Sequence, residues 1–478
     1  MAQADVALVA ALVLSCSLSG CMVGPNYQRP SLQETAQFKS QPSTQPVTGP
    51  TAIPTQWWKL YADEQLDRLI TTADASNQNI QQAVARLDQA RALARVAGSF
   101  LLPTVSSTPT FTRTRESGNR TSAITGAPAA AATFNDWSIP LGLTYEIDVW
   151  GRVRRSFESA NAQAIASAFD ETVVRLSIEA SVAQFYYALR SLDAQEQILN
   201  QNVDAYKEQV RLVGVQLKNG LVGPLDLYQA RALLEATQAQ ARDVQRARDD
   251  QEHALALLCG QPPAEFAVAK NPLTQASAPA VPAGLPGQLL SRRPDVAEAE
   301  QNVVAANAQI GVAIADFYPT FTLTGDAGFE SGDLKHLLDW KSRMATLGPS
   351  VSIPIFQGGR LKANLDATRA QLRQNVAAYV NQVLTAYGDV EDALTDLHAL
   401  TDEVERLQRA VDASKEYLRV ANSQYKNGLV NYLVIIDAER TLLANQLSFA
   451  QTINLQTAAS IHLIKALGGG WESQYINK

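Results

Sequence analysis

Residues 203–222 read VDAYKEQVRLVGVQLKNGLV, and residues 411–430 read VDASKEYLRVANSQYKNGLV. Twelve of the twenty positions are identical at a constant offset of 208. Self-similarity over such a span marks a duplicated architecture. The offset runs without a gap from Gly151-Arg152 against Gly359-Arg360 to Gly260 against Gly468. Upstream the match resumes loosely at an offset of 216, through Pro103-Thr104 and Pro319-Thr320. The first copy therefore carries eight extra residues between its proline and its Gly-Arg. One unit, used twice, organises the chain.

Each copy has the same order of parts. A helix comes first, over 64–99 and 294–316, the second opened by Pro294-Asp295 as helix starts favour. Two β-like segments follow in each copy, 104–114 with 137–148 and 320–329 with 346–356. They are rich in Thr, Phe, Val and Ile with partial alternation, and each is about the ~9–11 residues that a tilted strand needs to cross a bilayer. The loop in the first pair holds the eight extra residues. An uninterrupted helical pattern then runs from the Gly-Arg to Lys218 or Lys426. At ~1.5 Å per residue such a helix is ~100 Å long. Asn219-Gly220 and Asn427-Gly428 reverse the chain, and a second helix runs to 260 or 468. Helices of that length must pack on copies of themselves.

Four strands cannot close a barrel, and an open edge in hydrocarbon leaves backbone groups unpaired. Three chains would supply twelve, an even number as antiparallel closure requires. The domain plan is thus 1–20, a signal peptide; 21–63, an extended tether; 64–260, the first repeat; 261–290, a Pro-rich linker; 291–470, the second repeat; and 471–478, a tail.

The rest of the composition narrows the function. With 40 Lys and Arg against 47 Asp and Glu, the net charge of −7 argues against nucleic acid, whose phosphates demand clustered cations. Three cysteines without a C-x-x-C pair, and four scattered histidines, give neither a disulfide scaffold nor a zinc site. No catalytic motif is present, and the chain does not read as an enzyme.

The segment 6–18 is apolar apart from two serines and has the length of a signal-peptide core. Leu18-Ser19-Gly20-Cys21 after it resembles the bacterial lipobox, in which the cysteine thiol is acylated. Cys21 is therefore the expected lipid site, and Met22 rather than Asp beside it favours the outer membrane. Residues 1–20 hold no Lys or Arg, which places the expected true start upstream of Met1, because such peptides normally open on positive charge.

Further motifs are Pro25-Asn26-Tyr27 with Pro30, Trp57-Trp58, Ser291-Arg292-Arg293-Pro294-Asp295-Val296 and Phe317-Tyr318-Pro319. Pro354-Ile355-Phe356 with Gly358-Gly359-Arg360, Asn431-Tyr432-Leu433 with Asp437-Ala438, and Lys465-Ala466-Leu467-Gly468-Gly469-Gly470-Trp471 complete the set. Together they resemble a TolC/OprM-type outer-membrane factor of the lipoprotein subgroup, from Cys21 to Trp471. That resemblance implies a mostly α fold with transmembrane β structure. Three chains would form a 12-stranded outer-membrane β-barrel continuous with a 12-helix periplasmic α-barrel. It further implies a passive, gated exit duct without catalytic residues or cofactor. Its partners would be a periplasmic adaptor and an inner-membrane pump, proton-driven in the drug-efflux subgroup. A duct for secreted polypeptides is the alternative, and a channel-free coiled-coil lipoprotein has no use for the β segments.

Two sets of residues stand out for the duct. Lys218, Asn219, Gly220 and Leu221, with Lys426, Asn427, Gly428 and Leu429, form the hairpin tips, which the resemblance places against the adaptor. Leu433 and Asp437 are four apart and share a helix face, so a trimer would carry one apolar ring and one carboxylate ring. The resemblance puts them at the periplasmic constriction, with Arg440 and Tyr425 as latches between neighbouring hairpins. Only the second copy keeps this set, since Gln229 and Ala232 stand where it has Asp437 and Arg440.

Overall fold

The computed structural model describes residues 22–31, 38–39, 53–119, 131–273, 279 and 292–471. The lipobox with Cys21, most of the tether, part of the 261–290 linker, and the tail after Trp471 lie outside the described residues. The chain divides into two compact units. The first holds the described parts of 1–30, 88–166 and 299–378; the second holds those of 31–87, 167–298 and 379–478.

Both copies contain a helix of 67 residues followed by one of 35. In the first copy these are α3 (Arg152–Lys218) and α4 (Pro224–Leu258), preceded by α1 (Glu64–Ser76) and α2 (Gln78–Ser99). In the second they are α6 (Arg360–Lys426) and α7 (Tyr432–Ala466), preceded by α5 (Pro294–Ala315). The single helix expected over 64–99 is broken at Asn77. Its backbone is extended there (φ −67, ψ 126), and its Oδ1 accepts from the Asn79 and Ile80 amides to start the next helix. Its Nδ2 donates to the Leu258 carbonyl at 2.8 Å, which ties the break to the end of α4.

Five antiparallel strands form the sheet of the first unit: β1 (Thr104–Ser107), β2 (Thr110–Arg115), β3 (Thr133–Ile147), β4 (Thr320–Ser331) and β5 (Arg343–Ser352). β1 and β2 both lie on β3, one beyond the other, so the sheet is four strands wide. The segment expected over 104–114 is split at Thr108-Pro109, since proline has no N–H for the ladder. β3 begins earlier than expected, and β5 starts at 343 and stops at 352 rather than spanning 346–356. Among the described residues no helix is long and apolar enough to cross a membrane.

In the second unit, Trp57, Trp58 and Tyr61 pack with Tyr186 and Tyr187 of α3 and Ile461 of α7. Arg293 is buried; its guanidinium meets Asp295 at 2.7 Å, Asp389 at 2.9 Å and the Ala466 carbonyl at 3.0 Å. A Cβ at Gly468 (φ +95) would lie 2.1 Å from the Arg292 carbonyl, so the Arg-Arg-Pro-Asp and Gly-Gly-Gly motifs are two sides of one contact. Cys259 is buried in the same core, and burial pushes its thiol up to about 11.

Candidate functional site: a two-faced sheet and two helical tips

The register of the sheet sorts its residues onto two faces, because side chains alternate along a strand and cross-strand partners share a face. On β3, Trp137, Ile139, Leu141, Leu143, Tyr145 and Ile147 fall on one side. Their β4 partners include Phe329, Ala327, Leu323 and Phe321, and beyond these lie Ala345, Leu347 and Val351 of β5. The opposite face is mainly Thr, Ser and Gly with Asp136, Glu146, Asp326 and Glu330, and also carries Phe134, Pro140 and Met344. From Trp137 to Ile147 the strand rises about 34 Å at ~3.4 Å per residue. A tilt near 40° reduces that to ~26 Å, against an apolar band of ~25 Å in outer-membrane barrels.

Aromatic pairs mark both ends of the band. Phe111 and Trp137 stack at 4.2 Å at the loop end. Trp150, just past β3, stacks on Tyr318 at 4.6 Å and donates its indole N–H to the Pro319 carbonyl at 2.9 Å. Every helix that joins the sheet does so at this second end, which makes the hairpin loops the far end. Among the described residues two edges stay unpaired, that of β5 and that shared by β1 and β2.

The Pro25-Asn26-Tyr27 segment is pinned beside Trp150. Val23 N–H donates to the Trp150 carbonyl at 3.0 Å, and Arg155 holds the Asn26 side chain at 2.7 Å. Asn307 reaches the Pro25 carbonyl at 3.0 Å, and Tyr27 and Arg29 both meet Glu300. Met22 lies over Gly151 so closely that a Cβ there would come within 2.8 Å of its Cγ. The residue after Cys21 thus sits where the sheet passes into α3.

Both hairpin tips end in the same hydrogen-bonded turn. Gly220 and Gly428 have φ +71, and Leu221 and Leu429 N–H return to the Gln216 and Gln424 carbonyls at 2.9 Å. This is the glycine-terminated helix end that satisfies the last carbonyls. Lys218, Asn219, Lys426 and Asn427 are exposed, as are Leu221 and Leu429, at 74% and 73%. Behind the turns, Tyr206, Val213, Leu233, Tyr432 and Ile436 make one core joining the two hairpins.

Leu433 and Asp437 lie exposed on one face of α7, and Arg440 is exposed one turn further on. Tyr425 is half-buried, its ring tilted against that of Tyr432 at 5.9 Å. Asp437 instead accepts from the Tyr417 hydroxyl at 3.0 Å, and this bond with burial raises the Tyr417 hydroxyl. Sequence reasoning missed Tyr417, although 417 and 437 are equidistant from Asn427, about which the chain turns back. It also missed Glu439, whose half-buried carboxyl lies on the Tyr206 and Tyr432 side and is pushed up to about 7 by loss of water.

The outer membrane efflux protein family pattern matches residues 69–261 and 285–469, nearly the two repeats. The chain belongs to this family. The probable efflux pump outer membrane protein TtgC of Pseudomonas putida is 32% identical over 471 residues, covering 98% of this chain and 96% of its own. The cation efflux system protein CusC of Escherichia coli is 31% identical over 467 residues, covering 96% and 98%. Among solved structures the outer-membrane channel OprN superposes with a TM-score of 0.87 at 30% identity, covering 94% of this chain and all of that one. The open-state MtrE channel of Neisseria gonorrhoeae gives 0.83 at 28%, covering 95% and 99%. The sheet and the long paired helices of this chain are those that superpose on these two channels.

Proposed function

We propose that this chain is one third of a homotrimeric exit duct in the outer membrane. The observation that carries the reading is the sheet with one apolar face, one hydroxyl and carboxylate face, and two open edges. Edges in hydrocarbon must be paired, and three four-strand widths make twelve. A lumen lined by Thr, Ser and carboxylates suits water and solutes. The helices would continue the duct through the periplasm, where the tips meet an adaptor and, through it, an inner-membrane pump that supplies the energy. Relatives named for toluene, antibiotic and cation efflux favour small solutes as cargo over polypeptides. No catalytic step and no cofactor are assigned to the chain.

Lipid on Cys21 fits this arrangement, because Met22 is held at the helix-side end of the apolar band, level with the inner leaflet. Leu433 and Asp437 would form the periplasmic constriction, with Tyr417 holding the carboxylate in its own chain.

Planar-bilayer conductance tests the duct and its gate together. Leu433→Ala with Asp437→Ala is expected to raise conductance severalfold and weaken cation preference. The same exchange at the first tip, Leu225→Ala with Gln229→Ala, is expected to leave both unchanged. Equal behaviour of the two pairs removes the gate assignment, and absence of any conductance removes the duct.

A further inference from the structure

Charge is segregated across the sheet more completely than polarity. Within the five strands, Arg113, Arg115 and Arg343 occupy the apolar face, which holds no Asp or Glu. The opposite face carries the four strand carboxylates and no Lys or Arg. All three arginines lie toward the hairpin-loop end. Arg113 and Arg115 follow Phe111 on its face, and Arg343 opposes Phe329 at the start of β5. Passing outward, Arg113 and Arg115 follow the Phe111–Trp137 pair, while Arg343 lies in register with Phe329 and Ile139 at the loop end of the apolar band.

The adjoining loop continues the pattern. Trp340 is 72% exposed and carries the Arg343 guanidinium 3.3 Å from its ring centre, while Arg343 Nε donates to the Trp340 carbonyl at 2.7 Å. Leu334 and Leu338 are exposed beside it. Aromatic and leucine side chains suit the boundary between acyl chains and headgroups, and guanidinium forks suit phosphate oxygens bidentately.

We propose that Arg113, Arg115 and Arg343 form a rim that binds the phosphate groups of lipids in the outer leaflet. The inference rests on the proposed duct, which sets the hairpin loops outside. Solvated arginines on a water-filled lumen would need no such sorting; arginines at the edge of hydrocarbon need an anion, and this face offers none of its own.

The full chain in neutral detergent is to be exposed to lipid A bearing two phosphates, to enzymatically dephosphorylated lipid A, and to inorganic phosphate, with retained lipid counted by native mass spectrometry. The phosphorylated form is expected to be held more tightly, by about fivefold per guanidinium engaged. Arg113→Gln with Arg115→Gln and Arg343→Gln should erase the preference while bilayer conductance stays as in the parent chain. Equal retention of the two lipids by the parent chain overturns the rim, even if the triple variant does not fold. Retention by the folded variant with its preference intact also overturns it, as does displacement of lipid by millimolar inorganic phosphate, which would mean a free-anion site. A chain that sorts the lipids yet conducts nothing keeps the rim and loses the duct.

Discussion

At position 248 of the first hairpin, an arginine on α4 lies 2.8 Å from Asp193 of α3, and both side chains are almost wholly buried. Two hundred and eight residues further on, the second hairpin holds Gln456, whose amide donates to the Thr401 hydroxyl at 2.9 Å. The helix lengths are the same; one contact is ionic and the other neutral. The difference lies in a third segment. Arg248 also donates to the Val268 carbonyl at 2.7 Å, and Asp193 accepts from the Asn271 N–H at 3.0 Å. Lys270 with Glu196 adds an exposed ion pair to the same docking. The charged pair thus joins two helices and fastens the segment after α4, whereas the neutral pair joins two helices only. Duplication preserved the geometry, and the docked segment selected the chemistry.

Breaking the ionic contact is the most severe test of that account. Asp193→Ala leaves the buried Arg248 guanidinium only Glu252 at 3.1 Å and the Val268 carbonyl, and is expected to cost about 3 kcal/mol, read as a lowered melting temperature in detergent. Gln456→Ala, by contrast, is expected to cost about 1 kcal/mol. Writing the second pair into the first, Asp193→Thr with Arg248→Gln, should recover most of the loss, less the bonds to Val268 and Asn271. A double variant no more stable than Asp193→Ala breaks the comparison.

The hairpins differ in a second way, since Glu439 is half-buried, with its Oε2 shut off from solvent, where the first hairpin has the exposed Arg231. Its folded value of about 7 lies above the ordinary 4.5. The folded form therefore keeps a proton that the unfolded chain releases, and its contribution is complete below pH ~4.5 and lost as pH rises through ~7. Glu439→Gln should remove that slope, making the variant the more stable form at pH 8 by at most about 3 kcal/mol. Its neighbours include Tyr206, Tyr432, Gln209 and, through Tyr206, Arg440. Melts of both forms at pH 5 and 8 that stay parallel would count against this assignment.

The smallest expected effect lies where the copies coincide. A Cβ at Gly220 or at Gly428 meets nothing within 4 Å, and both have φ +71, so alanine at either should cost only backbone strain, about 1 kcal/mol. Unequal losses would show that one turn is held by more than its own conformation.

The duplication, the two 67-residue helices and the Asn-Gly turns were legible because each rests on local pattern, repeated. The strands were legible only in part. Asn135 and Asp136 are turn formers by preference, yet they lie on β3, because pairing with Thr112 and Arg113 outweighs local tendency. Pro109, which splits β1 from β2, is visible in the sequence as a break in the ladder. The sorting of arginines and carboxylates needed the register, since a one-residue slip exchanges the two faces. Glu439 reads as a solvated charge until the neighbouring hairpin covers it, and Tyr417 gains meaning only from the fold-back that brings Asp437 to it. Tyr425 lies against Tyr432 and the core shared by the two hairpins of its own chain, a placement that the sequence pattern does not reveal.

The open edges of β5 and of β1 with β2 have a genetic consequence. In the proposed trimer each chain must pair on both sides, so a chain whose edge is blocked spoils every assembly that it enters. With normal and blocked copies expressed equally, most assemblies of three contain at least one blocked chain. A lesion such as proline at Val351 of β5 is therefore expected to act as a dominant trait, whereas a chain that never folds would be recessive.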